Sequence, residues 1–288
     1  EMKSVQPNQK DLVQKFEAFS QKEDAAEEYQ AAWAWARHLH KAQSVIVDIF
    51  QGQLRSTLSC LECGRASKTF DPFLHLSVPV KAGKGLLSDA LQAFATKESL
   101  SGDNRWHCDH CGKRVDATKQ MEMYKLPPVV MLHLKRFSFD PKAGKVLKVP
   151  AEVLLSEGVE SSVDFQMYTV SRQRGQALYD IVGIINHHGP DADAGHYTAN
   201  CLHCVNGQWY RFDDETVSAI DVSEAWLPDA AYVVFLVKRR PETSPSRGSK
   251  EQPDVYRRQA SVRPQRVDAP EDWPHMCDLV GIRRQLQL

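Results

Sequence analysis

Cys60-Leu-Glu-Cys63-Gly64 and Cys108-Asp-His-Cys111-Gly112 are the two stretches that decide how this chain folds. Each is a Cys-x-x-Cys pair in a turn context with a glycine after the second cysteine, and 44 residues separate the two pairs. Two such pairs are typical of a tetrahedral thiolate site for a structural zinc ion. The sequence therefore predicts one zinc ion bound by Cys60, Cys63, Cys108 and Cys111. Replacement of one sulfur by His107 or His110 is the alternative, since both flank Cys108.

The composition is that of a globular protein of the cell interior. The chain has 288 residues, of which 42% are hydrophobic, and a formal net charge of -1, so it can bury one large core or two smaller ones. A near-neutral charge argues against nucleic acid as the main partner. No apolar run reaches the ~20 residues of a membrane span. Seven cysteines, four of them in zinc-type pairs, and a polar start without a signal peptide favour the cytoplasm or nucleus. The start at Glu1 rather than Met indicates a fragment.

The first 80 residues divide into a helical stretch and a strand-rich stretch. Residues 1–43 are predicted to be helical, and one helix carries an apolar face. That face consists of Tyr29, Trp33, Ala36 and Leu39. From residue 44 the hydrophobic period changes to two, which predicts a strand that leads into a hairpin carrying the first cysteine pair. The alternation begins with Val45, Val47 and Ile49.

The remaining chain is predicted to be rich in β-strands up to residue 238. A strand is expected at 73–78, and a short helix at 86–94. Further strands are indicated at 129–134, 179–185, 197–202, 209–212 and 231–237. The dipeptide Asn206-Gly207 is typical of a hairpin turn. Residues 239–288 are rich in Pro, Ser, Arg, Gln and Glu, and this tail is predicted to be disordered.

A histidine and an acid flank one predicted hairpin. His196 ends a small, polar loop that begins at Gly189, and Asp213 follows 17 residues after His196. If the two strands pair through their turn, Asp213 accepts the Nδ1 proton of His196 and leaves Nε2 free as a base. This is the His–Asp half of a catalytic triad. The alternative is an ordinary surface hydrogen bond between neighbouring strands.

Several segments together resemble the ubiquitin-specific protease family, the papain-like cysteine deubiquitinases. They occur in family order across residues 44–238, about two thirds of the chain. The segments are 48–63, 69–79, 106–111, 117–120, 126–137, 179–189, 195–197, 209–214 and 231–235. Among them are Leu126-Pro-Pro-Val-Val-Met-Leu-His-Leu-Lys-Arg-Phe137, Gly195-His-Tyr197 and Trp209-Tyr-Arg-Phe-Asp-Asp214.

The resemblance implies an α+β, papain-like fold shaped as a hand. Residues 1–43 would be a helical remnant of the thumb, and residues 44–238 the protease domain with its fingers and antiparallel β palm. The zinc ribbon of Cys60 to Cys111 would lie at the fingertips. The implied activity is deubiquitination, with ubiquitin and ubiquitinated proteins as partners.

The resemblance also implies roles for individual residues. His196 matches the general base and Asp213 the residue that orients it, while Asp214 is a secondary candidate. Gly189 and Gly195 flank the loop that would close over the ubiquitin tail, which ends in two glycines and requires a narrow cleft.

Two aromatic residues match positions near that cleft. Tyr197 and Phe137 either line and support it or are plain core aromatics.

The chain departs from the family pattern at the nucleophile. A Gly-Asn-Thr-Cys type of box is expected before the fingers, but the first cysteine here is Cys60. The nucleophile is therefore expected outside this chain, because the chain is a fragment, or else the protein is a ubiquitin-binding pseudoenzyme. A zinc-ribbon scaffold that binds nucleic acid is a third reading, which the charge opposes. Cys201-x-x-Cys204 with His203 raises a second metal or redox site as an alternative, but one paired strand would point the two sulfurs differently, which favours two unrelated cysteines.

Overall fold

The structure is a computed structural model that describes residues 27–42, 44–142, 144–155, 162–170, 177–191 and 194–239. Its helices are α1 (Glu27–Lys41), α2 (Val45–Phe50) and α3 (Leu87–Ala95). Most of the remaining elements are strands, so the α+β class is confirmed. The first nine strands are β1 (Gly52–Cys60), β2 (Ala66–Phe73), β3 (Leu76–Pro79), β4 (Gly83–Leu86), β5 (Glu98–Leu100), β6 (Trp106–Cys108), β7 (Lys113–Val115), β8 (Ala117–Lys125) and β9 (Val129–Lys135). The next nine are β10 (Phe137–Asp140), β11 (Lys145–Lys148), β12 (Ala151–Leu154), β13 (Ser162–Asp164), β14 (Leu178–His188), β15 (His196–Leu202), β16 (Trp209–Asp213), β17 (Thr216–Ile220) and β18 (Ala231–Lys238).

The chain divides into two compact units. The first contains the described residues up to 76, those from 91 to 130 and those from 164 to 177. The second contains residues 77–90, the described residues between 131 and 163, and those from 178 onward.

The first unit is built on the four-stranded sheet β2-β1-β8-β5. Helix α1 is joined to this sheet by an ion network in which Glu27 binds Arg55 and Lys68, while Arg55 also binds Glu122 at 2.6 Å. The amide of Gln53 donates to the carbonyl oxygen of Ala31 at 3.0 Å in a buried position. The long antiparallel pair of β1 and β8 ends at Cys60, opposite Ala117, and so carries the first cysteine pair to the end of the sheet.

The second unit is built on a larger sheet with the order β17-β16-β15-β14-β18-β9-β3, to which β13 adds by pairing with β14. Apolar residues of its central strands are almost fully buried and form its core. These include Leu132, Leu134, Ile181, Ile184, Val234 and Leu236. Strands β14, β15 and β16 are consecutive antiparallel neighbours, and the ends of β15 and β16 carry His196 and Asp213, the histidine and the acid singled out in the sequence.

Most predicted elements within the described residues are confirmed. The hairpin that carries the first cysteine pair is β1–β2, and the strand expected at 73–78 is the shorter β3. The helix expected at 86–94 is α3, one residue further along. The five strands predicted between residues 129 and 237 are β9, β14, β15, β16 and β18.

The strand predicted from the alternation of Val45, Val47 and Ile49 is wrong. These residues form the short helix α2, in which the Ser44 hydroxyl accepts the backbone N–H of Val47 as an N-cap. Val47 and Ile49 are buried, whereas Val45 is 58% exposed. The cap accepts a hydrogen bond from an N–H that the first turn of a helix leaves unpaired, and so it stabilises the helix. The segment is too short for hydrophobic periodicity to distinguish a helix from a strand.

The apolar face predicted for α1 is wrong in part, since only Trp33 and Leu39 of its four residues are half-buried. Tyr29 is 52% exposed and Ala36 is exposed, whereas the residue that the helix buries is Ala31. The ion network of Glu27 and the carbonyl of Ala31 set which side of the helix faces the sheet. The part of the predicted helical stretch that precedes residue 27 and the tail beyond residue 239 lie outside the described residues. No helix in the described part of the chain is long and apolar enough to cross a membrane.

Candidate functional site

The four predicted metal ligands come together in the first unit. The Sγ atoms of Cys60 and Cys111 are 3.9 Å apart, and those of Cys63 and Cys108 are 3.8 Å apart. All four sulfurs lie within 4.8 Å of one another. A tetrahedral zinc site with Zn–S bonds of about 2.3 Å places its sulfurs about 3.8 Å apart, so this donor set fits zinc.

Glycines shape both turns of the cluster, as the sequence indicated. Gly64 and Gly112 have φ angles of 73° and 64°, which lie in the left-handed region that glycine tolerates. Their N–H groups donate to the carbonyl oxygens of Cys60 and Cys108, at 3.2 and 2.9 Å. Each glycine thus closes a tight turn that aims both cysteines of its pair at one point.

The thiols of this cluster need a cation for all of them to ionise. The backbone N–H of Cys63 lowers the pKa of the Cys60 thiol to about 7, whereas burial raises the pKa of the Cys111 thiol to about 12. Four neighbouring thiolates repel one another, and a divalent ion is what compensates that charge. The environment therefore suits a bound metal ion better than a set of free thiols.

The alternative ligands do not join this cluster. His107 and His110 are exposed, and the described cluster contains only the four cysteines. Cys201 and Cys204 form no metal-type group with His203 among the described residues. One ring nitrogen of His203 accepts N–H groups of its own turn instead, from residues 205 and 206, at 3.4 and 3.3 Å.

His196 and Asp213 meet in the second unit. His196 is the first residue of β15 and Asp213 the last of β16, and Nε2 of the imidazole lies 2.5 Å from Oδ1 of the carboxylate. The hydrogen bond to Asp213 raises the pKa of His196, while partial desolvation acts in the opposite direction. The carboxylate therefore favours the imidazolium, as a residue that orients a catalytic histidine must.

The ring nitrogen that contacts Asp213 differs from the prediction. The expected contact was through Nδ1, whereas the nitrogen in contact with Oδ1 is Nε2. The register explains the difference. Ala199 lies opposite Phe212, so Asp213 continues opposite Thr198, two residues beyond His196. A carboxylate at this diagonal distance is reached by the distal nitrogen of the ring rather than by the proximal one.

Asp214 lies beside this pair. Its carboxylate, that of Asp213 and the His196 ring place polar atoms within 4.8 Å of one another. It is the one described residue other than glycine with a positive φ, of 49°, in the turn that joins β16 to β17. Aspartate tolerates this conformation, so the turn presents both acids at the same strand end.

The two glycines of the loop form a closed neck. Gly189 has a φ of 141°, and a Cβ on it would come within 2.7 Å of the Cα of Gly195. A Cβ on Gly195 would meet the carbonyl oxygen of His188 at 2.6 Å and the His187 ring more closely still. Neither position has room for a side chain, so the chain can enter and leave the loop only with glycine at both ends.

His187 lies beneath this neck and was not singled out in the sequence. Its side chain is 1% exposed, and its Nδ1 is a buried nitrogen without a hydrogen-bond partner among the described residues. Burial lowers the pKa of His187, as do the nearby positive charges of Lys148 and His188. The imidazole is therefore held neutral. Only its burial, which a sequence does not display, distinguishes it from His188.

The predicted aromatic residues surround His187. The rings of Phe137 and Tyr197 have centroids 5.1 and 4.8 Å from that of His187. Tyr232 adds a third ring, 5.5 Å from Phe137 and 6.4 Å from Tyr197. Phe137 is half-buried, whereas Tyr197 is 53% exposed. Tyr197 is therefore a surface residue of this group, and Phe137 is one of its supports.

A buried arginine fixes the backbone behind this aromatic group. Arg136 is 0% exposed, and its guanidinium donates to three carbonyl oxygens: those of Ala231 at 2.5 Å, Ala151 at 2.6 Å and Pro228 at 2.5 Å. Burial lowers its pKa. It ties the start of β10, where Phe137 lies, to the start of β18, where Tyr232 lies. Sequence reasoning missed it because arginine is normally exposed.

Comparison with known proteins gives consistent matches. The family model described as ubiquitin carboxyl-terminal hydrolase matches residues 4–236. Ubiquitin carboxyl-terminal hydrolase 2 of Gallus gallus is 34% identical over 204 residues, which are 70% of this chain and 55% of that protein. Ubiquitin carboxyl-terminal hydrolase 21 of Mus musculus is 32% identical over 223 residues, which are 76% of this chain and 38% of that protein.

Solved structures match as well. A chain in the structure of the SAGA Ubp8/Sgf11/Sus1/Sgf73 DUB module bound to ubiquitin aldehyde has a TM-score of 0.59 and 29% identity, covering 74% of this chain and 49% of that chain. A chain of the same module bound to monoubiquitin has a TM-score of 0.60 and 30% identity, covering 74% and 48%. The fold that the sequence resemblance implied is thereby confirmed. The chain spans 55% or less of the length of these relatives.

Proposed function

This chain belongs to the ubiquitin carboxyl-terminal hydrolase family, and from that premise we propose that it provides the general base and part of the substrate cleft for hydrolysis of the bond after the C-terminal glycine of ubiquitin. The observation that carries the proposal is the hydrogen bond between His196 and Asp213. Ubiquitin aldehyde and monoubiquitin bound to the solved relatives support ubiquitin and ubiquitinated proteins as the partners.

In the proposed mechanism, Nδ1 of His196 takes the proton of a cysteine thiol, since Nε2 is bound to Asp213. The thiolate attacks the carbonyl carbon of the last glycine, the C–N bond breaks, and the imidazolium returns the proton to the leaving lysine amine. Water then gives a proton to Nδ1 and its oxygen to the thioester carbonyl, and the thiolate leaves. Asp213 stabilises the imidazolium in both halves of the reaction, and Asp214 adds negative charge beside it.

The glycine neck supports the assignment of the cleft. A ubiquitin tail that ends in two glycines requires a narrow passage, and Gly189 and Gly195 bring two backbone segments together without side chains. Tyr197 is the exposed aromatic residue next to this neck, and Phe137 supports the ring of His187 beneath it. We assign the substrate tail to this side of the loop.

The proposed nucleophile lies outside this chain. No Gly-Asn-Thr-Cys type of box occurs in the sequence, and the cysteines from Cys60 to Cys111 form the metal-type cluster. Cys201 lies five residues along β15 from His196, opposite Gly183. We therefore expect the chain by itself to be inactive. The missing box also favours a second candidate, a ubiquitin-binding pseudoenzyme that uses the same cleft without chemistry.

Further parts of the proposal concern zinc and the ends of the chain. The four-cysteine cluster would hold a structural zinc ion, which fixes the end of the β1–β8 sheet and supplies no chemistry to the reaction. Residues 1–43 are assigned to a partial thumb and residues 44–238 to fingers and palm. The proposed location is the cytoplasm or nucleus, where free thiols persist.

The test uses two forms of the protein. The chain itself is measured for ubiquitin affinity and for turnover of a fluorogenic substrate at the C-terminus of ubiquitin. The same chain is then joined to the upstream, cysteine-containing segment of a relative. We expect binding without turnover in the first form and turnover in the second.

Variants assign the roles in the extended form. His196→Ala should lower turnover by roughly a millionfold, as loss of a triad member does in a serine protease. Asp213→Asn should lower it about 10⁴-fold. His40→Ala, on an exposed position of α1, is the matched control and should have no effect. Turnover by the unextended chain, or full activity of His196→Ala, would refute the assignment, whereas binding with no turnover in the extended form would select the pseudoenzyme.

A further inference from the structure

The His196–Asp213 pair is open to solvent, and this creates a positioning problem. Their side chains are 46% and 51% exposed. An exposed pair of this kind gains little free energy from its own contact, because water competes for both partners. Among the described residues, the side chain of His196 makes its hydrogen bond to Asp213. The direction of the imidazole must therefore be fixed largely by the backbone that leads into it.

That backbone is held by Asp191. One carboxylate oxygen, Oδ1, accepts the N–H of Ala194 at 2.9 Å, two residues before His196. The other, Oδ2, lies 3.5 Å from Nζ of Lys145 on strand β11. The Asp191 side chain is only 15% exposed, while that of Lys145 is 51% exposed. Asp191 therefore joins the outgoing and the returning ends of the loop.

The β10–β11 hairpin anchors the outgoing end of the same loop. Leu147 forms a backbone bridge with Asp191, and the N–H of Lys148 donates to the carbonyl oxygen of Pro190 at 3.0 Å. The ammonium of Lys148 donates to the carbonyl oxygen of His187 at 2.6 Å. These three contacts fix the position of Asp191 relative to β14. The carboxylate of Asp191 is thus held in a fixed position, where its Oδ1 accepts the N–H of Ala194 on the segment that returns to β15.

We propose that Asp191 is a positioning residue: its carboxylate fixes the return of the 189–195 loop and thereby holds the imidazole of His196 against Asp213. The inference rests on the role proposed above for His196. It assigns to the β10–β11 hairpin a function as the support of the catalytic loop. The hydrogen-bond acceptor at Oδ1 carries the effect, and the ion pair with Lys145 makes a smaller contribution because it is partly exposed.

The test is a titration of the His196 ring by nuclear magnetic resonance in the full chain, with the signal assigned by its loss in His196→Ala. Asp191→Ala should lower the pKa of His196 towards that of an unpaired imidazole. Asp191→Asn keeps an acceptor for Ala194 and removes the charge, and it should retain most of the upward shift. Asp191→Glu keeps the charge but moves the acceptor by one methylene, and it should lose the shift as Asp191→Ala does.

The outcomes separate positioning from simple electrostatics and from global damage. If Asp191→Asn loses as much as Asp191→Ala while Asp191→Glu loses nothing, the charge alone acts and the proposal is overturned. Asp180→Ala, which removes a surface ion pair with Arg239 at the far end of β14, is the matched control. An equal change in that control would also overturn it.

If Asp191→Ala does not fold, Asp191→Asn and Asp191→Glu still distinguish positioning from simple electrostatics. The readout requires neither a nucleophile nor ubiquitin. Failure of ubiquitin binding would contradict the proposed function and leave this result intact.

Discussion

The glycine neck offers the sharpest test of the site geometry, through the substitution Gly195→Ala. An added Cβ would lie 2.6 Å from the carbonyl oxygen of His188 and 2.7 Å from Cε1 of His187. The first of these atoms belongs to the last residue of β14, which pairs there with His196 of β15, and the second to a ring that is 1% exposed. Neither can move aside without disturbing its neighbours.

The expected cost follows from overpacking. Inserting a methyl group into a filled site typically destabilises a protein by about 1–3 kcal/mol. Gly183, within β14, provides the matched control, because a Cβ there would find its nearest atoms at 3.7 Å, an ordinary contact. Gly183→Ala should be neutral or should stabilise by about 0.4–1 kcal/mol, since alanine restricts the unfolded chain. The two substitutions should therefore differ by about 1–4 kcal/mol.

The assay is hydrogen exchange of the β14 and β15 amides under native conditions, which reports on the second unit even if the two units unfold separately. Chemical shifts of His187 and His196 are recorded with it. Gly195→Ala should lower protection in both strands and displace both histidine signals. The reasoning that the neck admits only glycine would be refuted if Gly195→Ala left both the amide protection and the histidine shifts unchanged, as Gly183→Ala is expected to do.

Three further predictions concern zinc, pH and the buried arginine. Cys108→Ser should abolish the one equivalent of zinc measured by elemental analysis, and it should lower amide protection in β6 and β7. The reason is that structural zinc contributes on the order of 10 kcal/mol to folding. The control variant Cys204→Ser should retain the metal. Asp213→Asn should lower the pKa of His196. The pKa of His196 in the folded protein is raised above its unfolded value near 6.5. The variant should therefore be less stable than the parent by the full amount below about pH 6.5, and this difference should vanish as pH rises through the folded pKa. Urea titrations at several pH values measure it. Arg136→Met should destabilise the second unit by more than about 2 kcal/mol in exchange measurements, because the buried carbonyl oxygens of Ala231 and Ala151 lose a donor at about 1–3 kcal/mol each. The carbonyl oxygen of Pro228 keeps the N–H of Val153 as a donor and adds less. A stability equal to the parent would contradict the role given to the guanidinium.

The metal-type cluster and the strand order near the site could be predicted from sequence because local signals specify them. A Cys-x-x-Cys pair followed by glycine encodes its own turn, and the structure forms that turn at both Gly64 and Gly112. The hairpin between His196 and Asp213 is similarly local, since one turn near Asn206-Gly207 sets which residues face each other. These features depend on residues that are close in sequence, so spacing is sufficient evidence for them.

Other features were decided by details of packing and geometry that residue spacing does not display. The segment after Ser44 alternates like a strand but forms a helix, because a cap and the burial of Val47 outweigh a short period-two pattern. The diagonal register between β15 and β16 selects Nε2 of His196 for the contact with Asp213.

The buried polar contacts of the second unit likewise could not be predicted from the sequence. Arg136 reaches carbonyl oxygens at residues 151, 228 and 231, and His187 lies under a residue eight positions away. Whether a polar side chain becomes a buried support or a solvated surface group depends on which backbone atoms surround it after folding. Sequence by itself determined the local turns and the four-cysteine cluster of this protein. Tertiary structure alone decided which charges are buried and which atoms face one another, because those properties arise only when separate segments pack together.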